Sequence, residues 1–338
     1  LAEANRELGL PLHIWVGREA RNLCDEYAGI TLHPHFGRLF KRIQTLALYR
    51  RLLRGPGRIY LPTAGRRDLV MLSFVSRRHI PPRKVFLLFH WLKLNPRKKR
   101  NMESLARRQP NVVPLAPSEG VTRVLRDCGF SHAARVPYPI TPVRLPSGME
   151  LVKNFRYLLF GGAARLDKGF EHVVKLVEHL KEAGSDLPVL VQTSPPHKGV
   201  HEPPVQRLLD RLDSVGYSAL LRKTRTLPET EYFEQYGGAI CLQLYDCREY
   251  ADDRISGVTL DALSCGCPIL ATAGTWMAKV VERFEAGMAL SDLSPPSVAQ
   301  AAQAVVREYA SYRARALEAG RVLQKENSAE HILRFVSG

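Results

Sequence analysis

Two short segments in the second half of the chain carry residue types suited to binding an anion. The first, FGGAARLDKGF (160–170), has Gly161 and Gly162 directly after an apolar run, with Arg165 and Lys168 following. Glycines allow a ligand to approach the backbone closely, and cations ahead of a helix neutralise negative charge. For the glycine pair alone, an ordinary surface turn is the favoured explanation, so the segment needs support from elsewhere.

The second segment, DDRISGVTLDALSCGCPILAT (252–272), contains a predicted helix start. Ser256 is a good N-cap, and Gly257, Val258 and Thr259 form the first helical turn. The free amides of such a turn and the helix dipole both favour an anion in front of it.

Asp253 and Asp261 stand eight residues apart on either side of this helix start. Carboxylates accept hydrogen bonds from neutral hydroxyl groups. Cations, amides and flanking carboxylates together suit a diphosphate joined to two sugars, which is a nucleotide sugar. The simpler alternative is one acid in a surface loop and a second acid near the start of the helix, where the helix dipole stabilises its negative charge. Glu249 and Asp252 are rivals for the role of the first acid.

Apolar runs alternate with helical patterns along the whole chain, and most runs are continuous instead of alternating with polar residues. Such runs are typical of parallel strands covered on both faces, so we predict doubly wound α/β sheets. The predicted strands are 12–17, 58–64, 84–91, 111–117 and 133–140 in the first half, and 156–162, 188–194, 218–224, 239–246, 267–274 and 286–292 in the second. HPH (33–35) is interpreted as a surface loop.

The chain has 338 residues, which exceeds most single cores and predicts two domains. The Pro-rich stretch YPITPVRLPSGME (138–150) is interpreted as the connection. We therefore predict an N-terminal domain over 1–140, a linker over 141–150 and a C-terminal domain over 151–338, and leave open whether the last helices return to the first domain. The opening LAEANRELGL has a helical pattern, so a strand and a loop are expected before Leu1.

The stretch 156–292 resembles the donor-binding domain of retaining, nucleotide-sugar-dependent glycosyltransferases of the GT-B fold, which have two Rossmann-like domains. Arg165 and Lys168 match the family's cations that neutralise the leaving diphosphate. D-RISGVTL-D followed by ALSCGCPIL matches its E-x₇-E motif and the strand after it. The resemblance implies that Asp253 contacts the donor sugar, that Asp261 holds the ribose, and that the donor lies in the cleft between the domains.

This chain departs from the family pattern at two points. Both acids are Asp, one methylene shorter than the usual Glu, and Ser256 stands where the family usually has Gly. Hydroxyl contacts are sensitive to geometry, so these changes imply an unusual donor or a weakened site. In the first half, FLLFHWLKLNP (86–96) resembles the family's strand that ends in a His near the donor sugar, which would make His90 a site residue. The alternative is an edge His beside Trp91.

The sequence predicts no obligatory metal and no cofactor other than the nucleotide-sugar substrate. It contains no D-x-D motif, and no His, Cys and carboxylate residues have metal-ligand spacing. The absence of G-x-G-x-x-G after its strands disfavours a dinucleotide enzyme.

The net charge of +16 lies almost entirely in the first half. Residues 1–150 hold 27 Lys and Arg against 10 Asp and Glu, whereas residues 151–338 hold 22 against 23. This asymmetry indicates an anionic partner, and we expect an anionic membrane surface together with a glycan or lipid-linked acceptor. A nucleic-acid-binding protein is disfavoured because the basic runs at 50–54 and 95–100 lack interleaved aromatic residues.

Together these features predict a retaining, metal-independent hexosyltransferase in cell-surface glycan, glycolipid or polysaccharide synthesis. No run of about 18 apolar residues occurs. The six cysteines have neither metal nor disulfide spacing and are expected to be buried and reduced. We therefore expect a cytoplasmic protein, peripheral on the inner face of a membrane. The alternative is a GT-B-like protein that binds a nucleotide sugar without transferring it.

Overall fold

The computed structural model describes residues 4–18, 29–37, 39–140, 151–194, 201–251 and 254–338. The chain divides into two compact units, the first Leu1–Thr141 with Asn327–Gly338 and the second Pro142–Glu326. The predicted linker 141–150 and the acids Asp252 and Asp253 lie outside the described residues.

The first unit contains strands and helices in alternation. Its strands are β1 (Leu12–Gly17), β2 (Ile30–Phe36), β3 (Ile59–Leu61), β4 (Val85–Leu88), β5 (Val113–Ala116) and β6 (Ala134–Arg135). Its helices are α1 (Asn5–Leu8), α2 (Lys41–Arg54), α3 (Arg66–Ser76), α4 (Pro96–Arg108) and α5 (Glu119–Asp127).

The second unit repeats the alternation, and the chain then returns to the first unit in a last helix. The strands are β7 (Tyr157–Phe160), β8 (Val189–Gln192), β9 (Leu220–Lys223), β10 (Ala239–Gln243), β11 (Ile269–Thr272) and β12 (Gly287–Leu290). The helices are α6 (Phe170–Glu182), α7 (Pro203–Ser214), α8 (Glu229–Glu234), α9 (Gly257–Ser264), α10 (Trp276–Phe284), α11 (Pro295–Arg307) and α12 (Tyr309–Glu326), followed by α13 (Ala329–Ser337) in the first unit.

The main sheet of the first unit is parallel, in the order β3-β4-β5-β6, and is covered on both faces. Alternate residues of β4 enter different cores: Val85 and Leu87 pack with α3, α4 and α5, whereas Phe86 and Leu88 pack with Ile332 of α13. Because both faces are buried, every residue of such a strand is apolar. This explains why the continuous runs in the sequence predicted strands.

The prediction of a surface loop at HPH (33–35) was wrong. These residues lie in β2, which pairs in parallel with β1 in a separate two-stranded sheet. Trp15 and His33 are register partners, and their rings stack with centres 4.7 Å apart. A Pro is tolerated in a strand with a free edge, since its missing N–H breaks no bond there. Aromatic pairing across the strands thus outweighs the turn signal of Pro34.

The second unit has a six-stranded parallel sheet in the order β12-β11-β10-β7-β8-β9. From the first strand, β7, the next two lie on one side and the last three on the other, which is the doubly wound order. Helix α6 shows how the flanking layers form: Phe170, Val173, Val174 and Val177 recur at helical spacing and are all buried. The order in which the strands are added reverses between β7 and β10. In such sheets, ligands bind at the carboxyl ends of the strands next to this reversal.

In the described part of the chain, no helix is both long and apolar enough to span a membrane. Cys128, Cys241, Cys265 and Cys267 are buried free thiols, as predicted, whereas Cys247 is free but exposed.

Candidate functional site

The loop after β7 has a shape that packing determines. Gly162 has φ of +103°, and its N–H donates to Oε1 of Gln192 at 3.0 Å. At Gly169 φ is +74°, and a Cβ there would lie 1.9 Å from the carbonyl oxygen of Leu244. Only glycine is compatible with such an approach. The loop is therefore held against β8 and against the chain that follows β10.

The two predicted cations of this loop have different environments. Lys168 lies on a 3₁₀ turn over Leu166–Lys168. Its side chain reaches back toward Gly162, where a Cβ atom would lie 3.5 Å from the Nζ of Lys168. Burial, and then the charge of Arg165, lower the pKa of Lys168. The carboxylate of Asp167 opposes this shift only in part. A partly buried ammonium whose charge is incompletely balanced favours an anionic ligand.

Arg165 is half-exposed and already engaged. Its Nε donates to Oδ1 of Asp167 at 2.8 Å, and its Nη2 donates to Oδ2 of the same carboxylate. Burial opposes the charged form, but these hydrogen bonds outweigh burial and raise the pKa of Arg165. A second arginine, Arg254, approaches Oδ2 of Asp167 with Nη1 at 3.8 Å. The sequence analysis did not single out Arg254, which directly follows Asp253 in the chain and is largely buried.

Among the described residues, nothing covers the start of α9 at Gly257, as the anion hypothesis requires. Ser256 occupies the N-cap position, but its side chain bonds no helix amide and lies near the hydroxyl of Tyr245. A Cβ on Gly257 would meet no atom of the described part of the chain within 4 Å. As members of the first turn, the amides of Gly257 and Val258 have no intrahelical partner.

Thr259 does not meet the prediction of a free amide. Its N–H donates to the carbonyl oxygen of Ser256 at 3.2 Å. Its hydroxyl donates to Oε1 of Gln243 at 2.7 Å, and the side chain is fully buried. The role of Thr259 is to join the start of α9 to the end of β10, because Gln243 is the last residue of that strand.

Asp261 lies one turn inside α9, where two tyrosines hold it. Tyr232 donates its hydroxyl to Oδ2 of Asp261 at 2.8 Å, and Tyr236 donates to the Tyr232 oxygen at 2.9 Å. The Tyr236 hydroxyl is also next to Gly161, at 3.6 Å from a Cβ built there. Burial raises the pKa of Asp261, and the hydrogen bond from Tyr232 partly offsets this. The tyrosines thus join Gly161 to the predicted ribose-binding acid.

Sequence reasoning missed these tyrosines, although a signal was present. Tyr232 and Tyr236 are four residues apart in EYFEQY, the spacing of one helix face. Their contact with Asp261 spans 29 residues of sequence, so only the packing of α8 beside α9 shows it.

His90 belongs to the first unit, just beyond the end of β4. Its Nε2 is 2.7 Å from the carbonyl oxygen of Pro62, so Nε2 carries a proton and Nδ1 is the acceptor of the neutral ring. Among the described residues Nδ1 has no hydrogen-bond partner and is buried. The ring packs edge-on against Tyr138, with centres 5.2 Å apart. The structure thus fixes the ring of His90 and leaves one nitrogen unsatisfied.

The first acid of the predicted pair stays a prediction. Asp253 and its rival Asp252 lie outside the described residues, and the other rival, Glu249, lies with Oε2 3.9 Å from Nη1 of Arg254. Within the described ranges, no group of three or more His, Cys, Asp or Glu could hold a metal ion.

The fold of this chain is similar to that of several solved glycosyltransferases. Sucrose-phosphate synthase from Thermosynechococcus elongatus superimposes with a TM-score of 0.68 at 14% identity, over 99% of this chain and 90% of that one. HepE of Anabaena, solved with UDP and glucose, gives 0.65 at 12% identity, over 98% of this chain and 99% of that one. This chain has the GT-B fold.

A third GT-B structure agrees with the first two. The α,α-trehalose-phosphate synthase (UDP-forming) from Burkholderia vietnamiensis gives a TM-score of 0.60 at 12% identity, over 89% of this chain and 80% of that one. The predicted fold class, two Rossmann-like α/β domains, is therefore confirmed. No family model matches the chain, and no curated protein matches it by sequence. At identities this low the likeness establishes the GT-B fold alone.

Proposed function

We propose that the protein is a glycosyltransferase that moves a sugar from a nucleoside-diphosphate sugar to an acceptor hydroxyl. One observation carries this proposal: in a GT-B fold, the partly buried cation Lys168 and the start of α9 both adjoin β7 and β10, where the strand order reverses. Tyr245 lies between them, since its ring centre is 6.0 Å from Lys168 Nζ and its hydroxyl is close to Ser256. A diphosphate is the ligand that such a site suits.

In the proposed reaction the chain neutralises the leaving diphosphate. Lys168, with Arg165 and the amides of Gly257 and Val258, stabilises the charge that develops when the sugar departs. Removing one such contact typically slows an enzyme by about a hundredfold or more. In this proposal the protein's own cations take the place of a metal ion at the diphosphate.

Two carboxylates position the donor in this proposal and do not attack it. Asp261, oriented by Tyr232, accepts hydrogen bonds from the ribose, and Asp253 contacts the sugar. The contact of His90 with the donor sugar stays a prediction from the sequence, since its unsatisfied Nδ1 is buried within the first unit. With no carboxylate assigned as a nucleophile, we propose a same-face transfer that retains the anomeric configuration. HepE, which was solved with UDP and glucose, makes UDP-glucose the first donor to test.

We further propose that the acceptor is a glycan or lipid-linked sugar and that the protein works at the cytoplasmic face of an anionic membrane. The excess of 27 cations over 10 acids in residues 1–150 supports this location. Synthesis of a cell-surface glycan, glycolipid or polysaccharide is the corresponding role.

A protein that binds a nucleotide sugar without transferring it is the second candidate. The observation that favours it is the engagement of Arg165 by Asp167, which occupies a cation assigned to the leaving group. UDP release from UDP-glucose, with and without added sugar acceptors, separates the two. Slow release that an acceptor accelerates supports a transferase, and NMR of the product gives the anomeric outcome. Tight UDP binding with no release under any condition would establish the binding protein instead.

A further inference from the structure

A groove between α3 and α4 in the first unit combines exposed apolar side chains with unpaired arginines. Its volume is about 640 Å³, and the residues that define it here are Val70, Phe74, Arg77, Arg78, Arg107 and Arg108. We call it the α3–α4 groove. It belongs to none of the features assigned to the donor site.

Hydrogen bonds at both ends of α3 hold the two helices beside each other. Nη1 of Arg66, the first residue of α3, donates to Oδ1 of Asn101, in the middle of α4, at 3.0 Å. Near the helix ends, Nε2 of Gln109 donates to Oγ of Ser76 at 2.7 Å, and its Oε1 accepts from the N–H of Ile80 at 2.9 Å. The two helices therefore run parallel, and these hydrogen bonds hold the α3–α4 groove between them in a defined shape.

The apolar side chains of the α3–α4 groove have no cover in the described structure. Phe74 is 75% exposed and Val70 is 40% exposed. Leu69 and Leu72, on the opposite face of α3, are buried in the core. Helix α3 is thus apolar on the face that the fold buries and also on part of the face that it leaves in water. An apolar side chain in water gains free energy by entering a non-aqueous phase.

Only positive charge surrounds these apolar side chains. The lining of the α3–α4 groove includes Arg77, Arg78, Arg107 and Arg108 and no acid. Among the described residues none of the four forms an ion pair with a carboxylate. The single acid of α4, Glu103, lines a different depression on the α5 side of that helix.

We propose that the α3–α4 groove docks the first unit on an anionic phospholipid bilayer. The arginines contact headgroup phosphates, and Phe74 enters the boundary between headgroups and acyl chains. Guanidinium groups match phosphate geometry, and their long stems let the charge stay at the polar level while apolar neighbours go deeper. A single Phe beside Val suits lipid better than nucleic acid, whose binding surfaces interleave aromatic residues for base stacking. The inference rests on the proposed membrane location and not on the transfer chemistry.

Vesicle sedimentation of the full chain tests the proposal. The probes are vesicles of phosphatidylcholine alone and vesicles of phosphatidylcholine mixed equally with phosphatidylglycerol. We expect binding to the mixed vesicles only, and we expect salt to weaken it. The double variant Arg77→Glu with Arg108→Glu should bind at least about 25-fold more weakly, since each cation near an anionic leaflet contributes about fivefold.

The matched control is Arg123→Glu with Arg135→Glu. These exposed arginines lie on α5 and β6, away from the α3–α4 groove, and their reversal changes the net charge by the same amount. The control should keep most of the wild-type affinity. Equal loss in both double variants would overturn the assignment to the groove, because net charge alone would then explain binding.

Phe74 provides a test that is independent of charge. Phe74→Ser should weaken binding several-fold, and Phe74→Trp should be quenched by vesicles with brominated acyl chains beyond the level of the wild type. No extra quenching would contradict insertion. Because Phe74, Arg77 and Arg108 are exposed, unchanged thermal unfolding should verify that each variant folds.

Two further outcomes keep this proposal separate from the proposed function. UDP should shift the melting temperature of the groove variants as it does that of the wild type, and Lys168→Ala should lose the UDP shift but bind vesicles normally. Failure of UDP binding alone leaves the docking surface standing. Binding to DNA or RNA that is steeply dependent on salt, with no lipid preference, would overturn the bilayer as the partner.

Discussion

The arginines of the second unit that form ion pairs contrast with those of the α3–α4 groove in the first unit, although Arg126 and Arg334 of the first unit do pair with Glu119 and Glu330. In the second unit, Arg211 pairs with Glu178, Arg225 with Glu231, and Arg283 with Glu326. In the first unit, the arginines of the α3–α4 groove form no ion pair among the described residues, and the first half of the chain has too few acids to pair them. Exposed ion pairs contribute little to stability, and unpaired like charges repel one another. The unpaired cations of the first unit are therefore better explained by a partner than by the fold.

The second unit contains its own exception to this pairing, and it lies at the candidate site. Lys168 is a cation that burial and the nearby Arg165 disfavour, and no carboxylate bonds it directly in the described structure. Destabilised positive charge is therefore concentrated at one point in the second unit, and it is spread over a surface in the first unit. The concentrated charge of the second unit suits a small, highly charged ligand. The spread charge of the first unit suits an extended ligand.

Loss of the Lys168 ammonium should have the largest effect. We expect Lys168→Ala, and likewise Arg165→Ala, to lower turnover about a hundredfold, because the leaving diphosphate loses one stabilising charge. The control is Lys175→Ala on α6, whose ammonium pairs with Glu171 at 2.7 Å on the surface. Initial rates of UDP release measure all three, and full activity in both site variants would refute the assignment.

Charge reversal in the first unit should reduce vesicle binding without reducing turnover at the site in the second unit. Arg97, Lys98, Lys99 and Arg100 are exposed in the first turns of α4. Reversing all four should reduce binding to anionic vesicles more than tenfold, because these cations add to the same basic surface. Turnover on a short soluble acceptor should survive, since the donor residues other than His90 belong to the second unit. Equal loss of turnover and vesicle binding would indicate damage to the fold.

Replacing Asp261 should affect donor binding more than chemistry. We expect Asp261→Asn to raise the donor KM about tenfold with little change in kcat, since ribose contacts are equal in the ground and transition states. The isosteric Asn can still accept from Tyr232, so the local packing stays. A fall in kcat at unchanged KM would contradict a ribose-binding role.

The smallest predicted effect is a shift in pH dependence. In the proposed role, the ionised carboxylate of Asp261 accepts hydrogen bonds from the ribose hydroxyls. Donor affinity should therefore fall as the pH drops through the pKa of Asp261, which burial raises. The Tyr232 hydroxyl stabilises the ionised form. Tyr232→Phe should therefore raise the pKa of Asp261 further and move the loss of UDP affinity to higher pH. Calorimetric titration with UDP across the acidic range would show it; an unshifted profile would mean that Tyr232 has only a structural role.

Much of the architecture could be predicted because it depends on local pattern. Strands such as β7 and β10 are buried on both faces, so each is a run of apolar residues that the sequence displays directly. Strand β2 was missed because its pairing depends on Trp15 stacking on His33, a contact between segments that neither shows alone.

The candidate site divides in the same way. The loop with Gly162 and Lys168 could be predicted, because its chemistry and its position after a strand are both local. The hydrogen bond from Tyr232 to Asp261 and the one from Arg165 to Asp167 could not be predicted, because each depends on which side chains packing brings together. The prediction of a free amide at Thr259 was wrong for the same reason. The N–H of Thr259 donates to the carbonyl oxygen of Ser256 and so closes the first turn of α9.

Binding of UDP to the second unit tests the central claim most directly. Thermal unfolding of the full chain with and without UDP should show a higher midpoint with UDP, because a ligand that binds only the folded state stabilises it. The increase should largely disappear in Lys168→Ala and persist in Lys175→Ala. A midpoint that neither UDP nor any other nucleoside diphosphate changes, or an increase that survives in Lys168→Ala, would contradict a nucleotide-sugar site at this point of the sheet.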